Sequence, residues 1–236
     1  MSNGATESIG LVVALPAEAH SIGVRGVHPG ECGPWRQGWA AVSGIGPHNA
    51  MRAAERLLAC GVGRLANWGV AGALDAGLEP GDVLIPERVR YADDDPGFAT
   101  DVEDSRRLAE ALSASLTVHR GTLWSAAQPV ATQSGKRALA ERTGAVAVDM
   151  EAAPIAAVAT RARLPFVVVK AICDPATSEL PAGIVRALDG SEGGLSLRML
   201  SAIAFGGPAS WRAARSLARD FARARHSLAA AARMAA

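Results

Sequence analysis

The chain has 236 residues, of which 49% are hydrophobic and 20% charged, and its 24 basic residues stand against 23 acidic ones for a net charge of +1. At about 150 residues per domain this reads as one large domain with room for a full core, and it excludes an intrinsically disordered chain or a surface built to bind nucleic acid. No charge-free stretch reaches the roughly 18–20 residues of a membrane-spanning helix, and residues 1–8 lack the positive start of a secretion signal, so a cytoplasmic protein is expected.

In chain order, apolar runs rich in β-branched residues at 9–15, 39–42, 65–68, 83–85, 146–148 and 166–172 predict buried strands. Helical patterns at 49–59, 105–114, 135–142 and 152–163 fall between them. The alternation predicts an α/β domain with three α/β/α layers and a central mixed, largely parallel sheet over residues 9–195. Residues 196–236 are expected to extend that domain as an Arg-rich helical segment. There Gly206-Gly207-Pro208 breaks the chain, and one helix follows over 209–236. Trp211, Leu217, Phe221 and Leu228 lie along one side of it, and Arg212, Arg215, Arg219 and Arg223 form another stripe. Such a helix either packs on the domain with a solvated Arg face or lies on anionic lipid as a peripheral membrane contact. Cys32, Cys60 and Cys173 have no CxxC spacing and no paired histidines, which predicts reduced thiols and no metal. Lys136 and Lys170 are the only lysines, which reads as an Ala/Arg-biased codon usage rather than as function.

A largely parallel sheet presents ligands at the carboxyl ends of its strands. The turn Ser43-Gly44-Ile45-Gly46 follows a strand and opens a helix, so its amides could face an anion or a sugar hydroxyl. It is not a dinucleotide fingerprint, because Asn49 stands where the third glycine belongs. The small residues between Asn67 and Ala73 admit a ligand or form a tight packing corner. Glu18, Glu151 and Asp174 each sit at or near the end of a buried apolar run. Any one alone reads equally well as a helix cap, but three desolvated carboxylates at one end of one sheet are expensive unless paired or used.

These segments together resemble the nucleoside phosphorylase/nucleosidase superfamily, which includes purine nucleoside phosphorylases and methylthioadenosine/S-adenosylhomocysteine nucleosidases. The likeness runs over about residues 9–180: the strand from Ile9 through Glu18, the Ser43 to Gly46 turn, Asn67 to Leu74 with Pro80-Gly81-Asp82-Val83, Ala147-Val148-Asp149-Met150-Glu151-Ala152, and the stretch from Pro165 to Asp174. Within the superfamily the sequence is most similar to the hopanoid-associated phosphorylases, through Val148-Asp149-Met150-Glu151, Asp174-Pro175-Ala176 with Leu180-Pro181, and the Arg-rich tail. The resemblance implies cleavage of the N-glycosidic bond of a purine nucleoside, adenine-bearing, by phosphate or water. It implies no cofactor, inorganic phosphate as co-substrate in the phosphorylase case, a small-molecule or lipid-linked nucleoside as partner, and a homo-oligomer. By position, Asp174 would donate to the base at N7, and Glu151 would hold the ribose hydroxyls with Met150 under the sugar. Glu18 would stand where nucleosidases keep the glutamate that orients and deprotonates water. Ala71, Gly72, Val148 and Cys173 would join Met150 in binding substrate, and Gly46, Asn67 and Val70 would surround the phosphate or water.

The departures carry weight too. Phosphorylases bind phosphate with arginines and a serine, whereas Glu18 and Asn67 occupy two of the arginine positions and Val70 replaces the serine. The local residues therefore lean towards hydrolysis, and the sub-family resemblance towards phosphorolysis. Arg52 reads as an exposed helical arginine. Lys170 and Cys173 replace the usual arginine and serine before the aspartate, and Pro154 fits the motif helix only in its first turn. The alternatives are a methylthioadenosine/S-adenosylhomocysteine nucleosidase and a non-catalytic nucleoside- or lipid-binding protein.

Overall fold

The computed structural model describes residues 8–181, 184–185 and 207–235, with side chains from residue 215 onward in the last stretch. The first half of the chain forms β1 (Ile9–Val13), α1 (Pro16–Ser21), β2 (Cys32–Trp35), β3 (Gly38–Val42), α2 (Pro47–Ala59), β4 (Arg64–Ala73), β5 (Val83–Leu84), β6 (Arg88–Arg90) and β7 (Phe98–Ala99). The second half forms α3 (Val102–Ser113), β8 (Val118–His119), β9 (Thr122–Ser125), α4 (Gln133–Thr143), β10 (Ala147–Asp149), α5 (Ala152–Ala162), β11 (Phe166–Asp174) and α6 (Gly207–Met234).

All eleven strands belong to one mixed sheet. Its centre is β4, which runs parallel to β1 on one edge and parallel to β11 on the other. The continuous apolar runs of these strands follow from this placement, since both faces of the sheet are covered. α2 and α5 cover one face, where Val12, Leu57, Leu65, Ile155 and Ile172 pack together. α1, α3 and α6 cover the other, over Leu11, Val13, Trp68, Leu112, Val169 and Leu228. A smaller cluster of Leu74, Trp124, Leu139 and Val148 seats α4. The three layers and the largely parallel centre are those expected.

Every predicted strand and helix is present, and several are longer than the sequence pattern suggested: β4 has ten residues rather than four. α1 and the strands β2, β6, β7, β8 and β9 were not legible, because they are short and lack the apolar run that marked β1, β3, β5 and β10. α6 packs Ala224, Leu228, Ala231 and Ala232 into the second core, against β11 and β4, while Arg215, Arg219 and Arg223 are exposed. Leu217 and Phe221 are half-buried. The side chains of Trp211 and Arg212, and the expected boundary between residues 195 and 196, lie outside the described residues. Among the described residues, no helix is long and apolar enough to cross a membrane.

Candidate active site

β4 changes partner in mid-strand. Its pairing with β1 ends at Asn67, opposite Val12, and its pairing with β10 begins at Gly72, opposite Val148. Residues 68–71 pair only with β11, so one edge of β4 is free over this interval. A break of this kind between neighbouring strands is where open α/β sheets bind ligands. The chain ends of β1, β10 and β11 all deliver acids to it.

Glu18 is the third residue of α1, a helix too short to persist without tertiary support. The N–H groups of Ala14 and Leu15 donate to its Oε2 at 3.1 and 2.8 Å, so the carboxylate caps its own helix. Its Oε1 reaches across to the free edge of β4 and accepts from the Val70 N–H at 2.9 Å. The cap reading of the sequence is thus half of the answer, and the bridge to β4 is the other half. Glu18 is 1% exposed. Burial raises its pKa above the ordinary carboxylate value, with Lys170 and the three amides opposing.

The approach depends on Gly69. A Cβ there would stand 2.9 Å from Glu18 Oε1 and 3.4 Å from Oε2, and the carboxylate cannot retreat without leaving its amides. Gly69→Ala is therefore expected to leave the fold in place but lower turnover at least about tenfold through displacement of Glu18. Circular dichroism with steady-state kinetics checks it, and unchanged turnover would contradict the placement.

Glu151 precedes α5 without capping it. That task falls to Asp149, whose Oδ2 accepts from the Ala152 N–H at 2.9 Å, and to Ser125, whose Oγ accepts from Ala153. Glu151 is free to cross to the Gly44–Gly46 turn, where Oε1 accepts from the Gly46 N–H at 2.9 Å, while Oε2 accepts from Met150 at 3.3 Å. Gly46 holds a φ of 98°, which a residue with a side chain rarely adopts. Between these acids lies Lys170, 2% exposed, with Nζ 2.8 Å from Asp149 Oδ2. Burial opposes its charge, but Asp149, Glu151 and Glu18 outweigh that and hold its pKa above the ordinary lysine value.

Burial pushes the Glu151 carboxyl up to about 7, Lys170 pulls against the rise, and Asp149 and Glu18 add to it. The unfolded chain releases the same proton near 4.5, so the folded state binds more protons between these values and loses stability as pH rises through them. Glu151→Gln, which cannot ionise, should gain about 1–3 kcal/mol on the wild type between pH 4 and pH 8, whatever fixed cost its amide incurs beside Gly46 and Met150. Thermal unfolding at both pH values measures this; a difference between the two proteins that is the same at pH 4 and pH 8 would contradict the assignment.

Asp174 closes the other end of the gap, after a bulge between Ile172 and Asp174 that aligns it with Gly72. A Cβ on Gly72 would stand 3.3 Å from Asp174 Oδ2 and 3.5 Å from Val148 Cγ1, so the glycine makes room for the acid. Lys136 of α4 pairs with Oδ2 at 2.7 Å, and the Ser178 hydroxyl donates to Oδ1.

A family model described as the phosphorylase superfamily matches residues 9–184. The chain belongs to the phosphorylase superfamily. The 5'-methylthioadenosine/S-adenosylhomocysteine nucleosidase of Staphylococcus aureus (strain JH9) is 33% identical to it over 132 residues, covering 49% of this chain and 58% of the relative. The chain thus matches little more than half the length of that curated relative. Two Helicobacter pylori structures share the fold over 97% of both chains. One is a 5'-methylthioadenosine/S-adenosylhomocysteine nucleosidase with 5'-methylthioadenosine in its active site, at a TM-score of 0.72 and 21% identity. The other is a futalosine hydrolase, at 0.70 and 20%.

In this superfamily member the other residues singled out by the sequence are spread over both faces of the gap. Ala71 lies in the core beneath α2 and α5, Val148 in the cluster beside α4, and Met150 is half-buried. Cys173 packs on the opposite face, with the α6 core, and burial first, then Asp174 and Glu18, push its thiol far up. Val70 contributes its amide rather than its side chain, and the Gly46 amide is taken by Glu151. Asn67 is buried and donates to Val12 O at 3.3 Å, while its Oδ1 has no partner among the described residues. Arg52 is exposed on α2, as expected. Pro154 falls in the first turn of α5, where its missing N–H costs no helical bond.

Asp149 and both lysines were missed. Among the described residues, the lysines are the two largest side chains that are fully buried, and each pairs with an acid of this gap. Their rarity in an Arg-rich chain was the available signal. A compact ammonium places three donors around one point, which suits acceptors that converge on it.

Proposed function

We propose that the chain hydrolyses the N-glycosidic bond of a purine nucleoside, with water rather than phosphate as the nucleophile. The observation that carries this reading is the closed ring of donors around Glu18: three amides at the free edge and helix entrance hold the protein's own carboxylate. A phosphate would have to enter beside Glu18, Asp149 and Glu151, with one lysine among the three acids. Each like charge within about 4 Å costs roughly 4 kcal/mol at an effective dielectric of 20. A neutral water meets no such barrier.

The chemistry divides among the residues by what each can do. Glu18 takes a proton from the water that attacks C1′, and its burial raises the proton affinity such a base needs. Glu151 accepts from the ribose hydroxyls and faces the oxocarbenium charge as it develops, with Met150 under the sugar. Asp174 supplies a proton or hydrogen bond to N7, so that the purine leaves neutral. The nucleosidases and the hydrolase among the similar proteins support cleavage by water. Adenine release from 5'-methylthioadenosine and adenosine, assayed with and without phosphate, tests the reading. Equal rates are expected, and release that requires phosphate would overturn it.

A lipid-linked nucleoside is a second reading, favoured by the exposed stripe of Arg215, Arg219 and Arg223 on α6 and by the resemblance to the hopanoid-associated phosphorylases. Cutting the helix away would also strip Ala224 and Leu228 from the core, so truncation cannot test it. Replacing the three arginines with glutamine removes three charges and leaves the packed face intact. At about 1 kcal/mol per charge, it should weaken binding to anionic vesicles by on the order of a hundredfold and leave turnover of a small nucleoside unchanged. Vesicle sedimentation measures this, and absence of binding in the unmodified protein would remove the reading.

A further inference from the structure

Lys136 is fully buried on the first turn of α4, a helix capped by Thr132, whose Oγ1 accepts from the Gly135 N–H. Its ammonium has three near acceptors, Asp174 Oδ2 at 2.7 Å, Pro175 O at 2.8 Å and Ser178 O at 3.2 Å, and a fourth, Ser178 Oγ, at 3.5 Å. The three near acceptors match its three hydrogens. The turn over 174–178 is folded around this one group. Ser178, held in the same turn, donates to the second oxygen of Asp174, so neither carboxyl oxygen is free to swing. The Leu180 N–H fastens the next residues to Ala131 O at 2.8 Å.

A buried ion pair is a poor device for stability, because apolar residues of the same volume do as well or better. This one sits on an acid at the end of a central strand, where orientation matters. We propose that Lys136 is a positioning residue for the cleavage reaction: it fixes the plane of the Asp174 carboxyl towards the base. The inference rests on the role given to Asp174 under the proposed function.

Among the described residues, Lys136 is the cation that pairs with Asp174. Cys173 on β11 adjoins the pair: Asp174, Glu18 on α1 and Asp220 on α6 raise its thiol, and Lys136 lowers it. Lys170 is committed to Asp149, on the far side of the gap. Removing the Lys136 ammonium therefore leaves the Asp174 carboxyl held, among the described residues, by the Ser178 hydroxyl alone, free to turn about its own bond.

The chain has two lysines, so protein labelled with 13Cε-lysine gives two resonances, and Lys136→Arg assigns them. In Asp174→Asn, the Lys136 resonance should move in chemical shift, with Lys170 unmoved. A Lys136 resonance indifferent to that substitution would overturn the inference, whether or not the protein turns over a nucleoside. In kinetics, Lys136→Met should lower kcat for adenine release at least about tenfold with KM within about threefold, and largely spare a 4-nitrophenyl riboside, whose leaving group needs no proton. Lys136→Arg, which restores the charge, should recover part of the lost kcat. Equal losses on both substrates in a folded Lys136→Met protein would reduce Lys136 to packing. Should that variant fail to fold, the Lys136 shift in Asp174→Asn and the kcat of Lys136→Arg decide the matter. A wild-type protein that releases no adenine would instead count against the proposed function, with the lysine resonances still readable.

Discussion

Glu18→Gln is expected to lower adenine release by at least about a hundredfold at saturating nucleoside, the lower end of what a positioned base contributes. The substitution is nearly isosteric, yet it fails at both of the side chain's tasks. The amides of Ala14, Leu15 and Val70 require an acceptor at both carboxyl oxygens, and an amide offers one. Whichever way the glutamine turns, a donor faces a donor, which adds about 1–3 kcal/mol of destabilisation. Thermal unfolding and kinetics on the same sample separate the two losses. A folded variant that keeps wild-type turnover would show that Glu18 is a helix cap and nothing more.

Asp174→Asn should lower release of adenine by about two to four orders of magnitude, because a purine leaves poorly as an anion. The decisive comparison uses a second leaving group. A 4-nitrophenyl riboside departs as a stabilised phenolate and needs no proton at the leaving atom, so its cleavage should be largely spared. Equal losses on both substrates would mean that Asp174 acts on the sugar or on the fold. Some loss of stability is also expected, since Lys136 keeps its charge in full burial without its counter-ion. Breaking such a pair costs up to about 3–5 kcal/mol, and assays belong well below the unfolding midpoint.

The position of the three acids was legible because strand ends can be read from hydrophobic runs, and a parallel sheet gathers strand ends at one edge. Their division of labour was not. Nothing in the spacing says that Asp149 caps α5 and so frees Glu151 to reach Gly46, since two acids two residues apart compete equally for the cap. The partner change along β4 was also hidden: apart from Arg64 and Asn67, residues 64–73 are apolar or small, and that pattern does not reveal where β1 stops and β10 begins. Gly69 and Gly72 lie in the stretch read as either admitting a ligand or packing tightly, with Gly72 among the expected substrate contacts, and they are the two places where a carboxylate rests on β4. Lys136 was invisible for a different reason. Its helix has a weak apolar face, and a lysine at that register reads as solvent-facing until the turn after Asp174 is seen to close over it.

Cleavage by water rather than phosphate is the centre of this account, and isotope labelling decides it most directly. The protein is incubated with 5'-methylthioadenosine in water enriched in 18O, with and without phosphate, and the sugar product is examined by mass spectrometry after borohydride reduction, which preserves the oxygen on C1. One 18O atom in the sugar at the same rate in both conditions is the predicted result. A sugar 1-phosphate, formed only when phosphate is present, would contradict it.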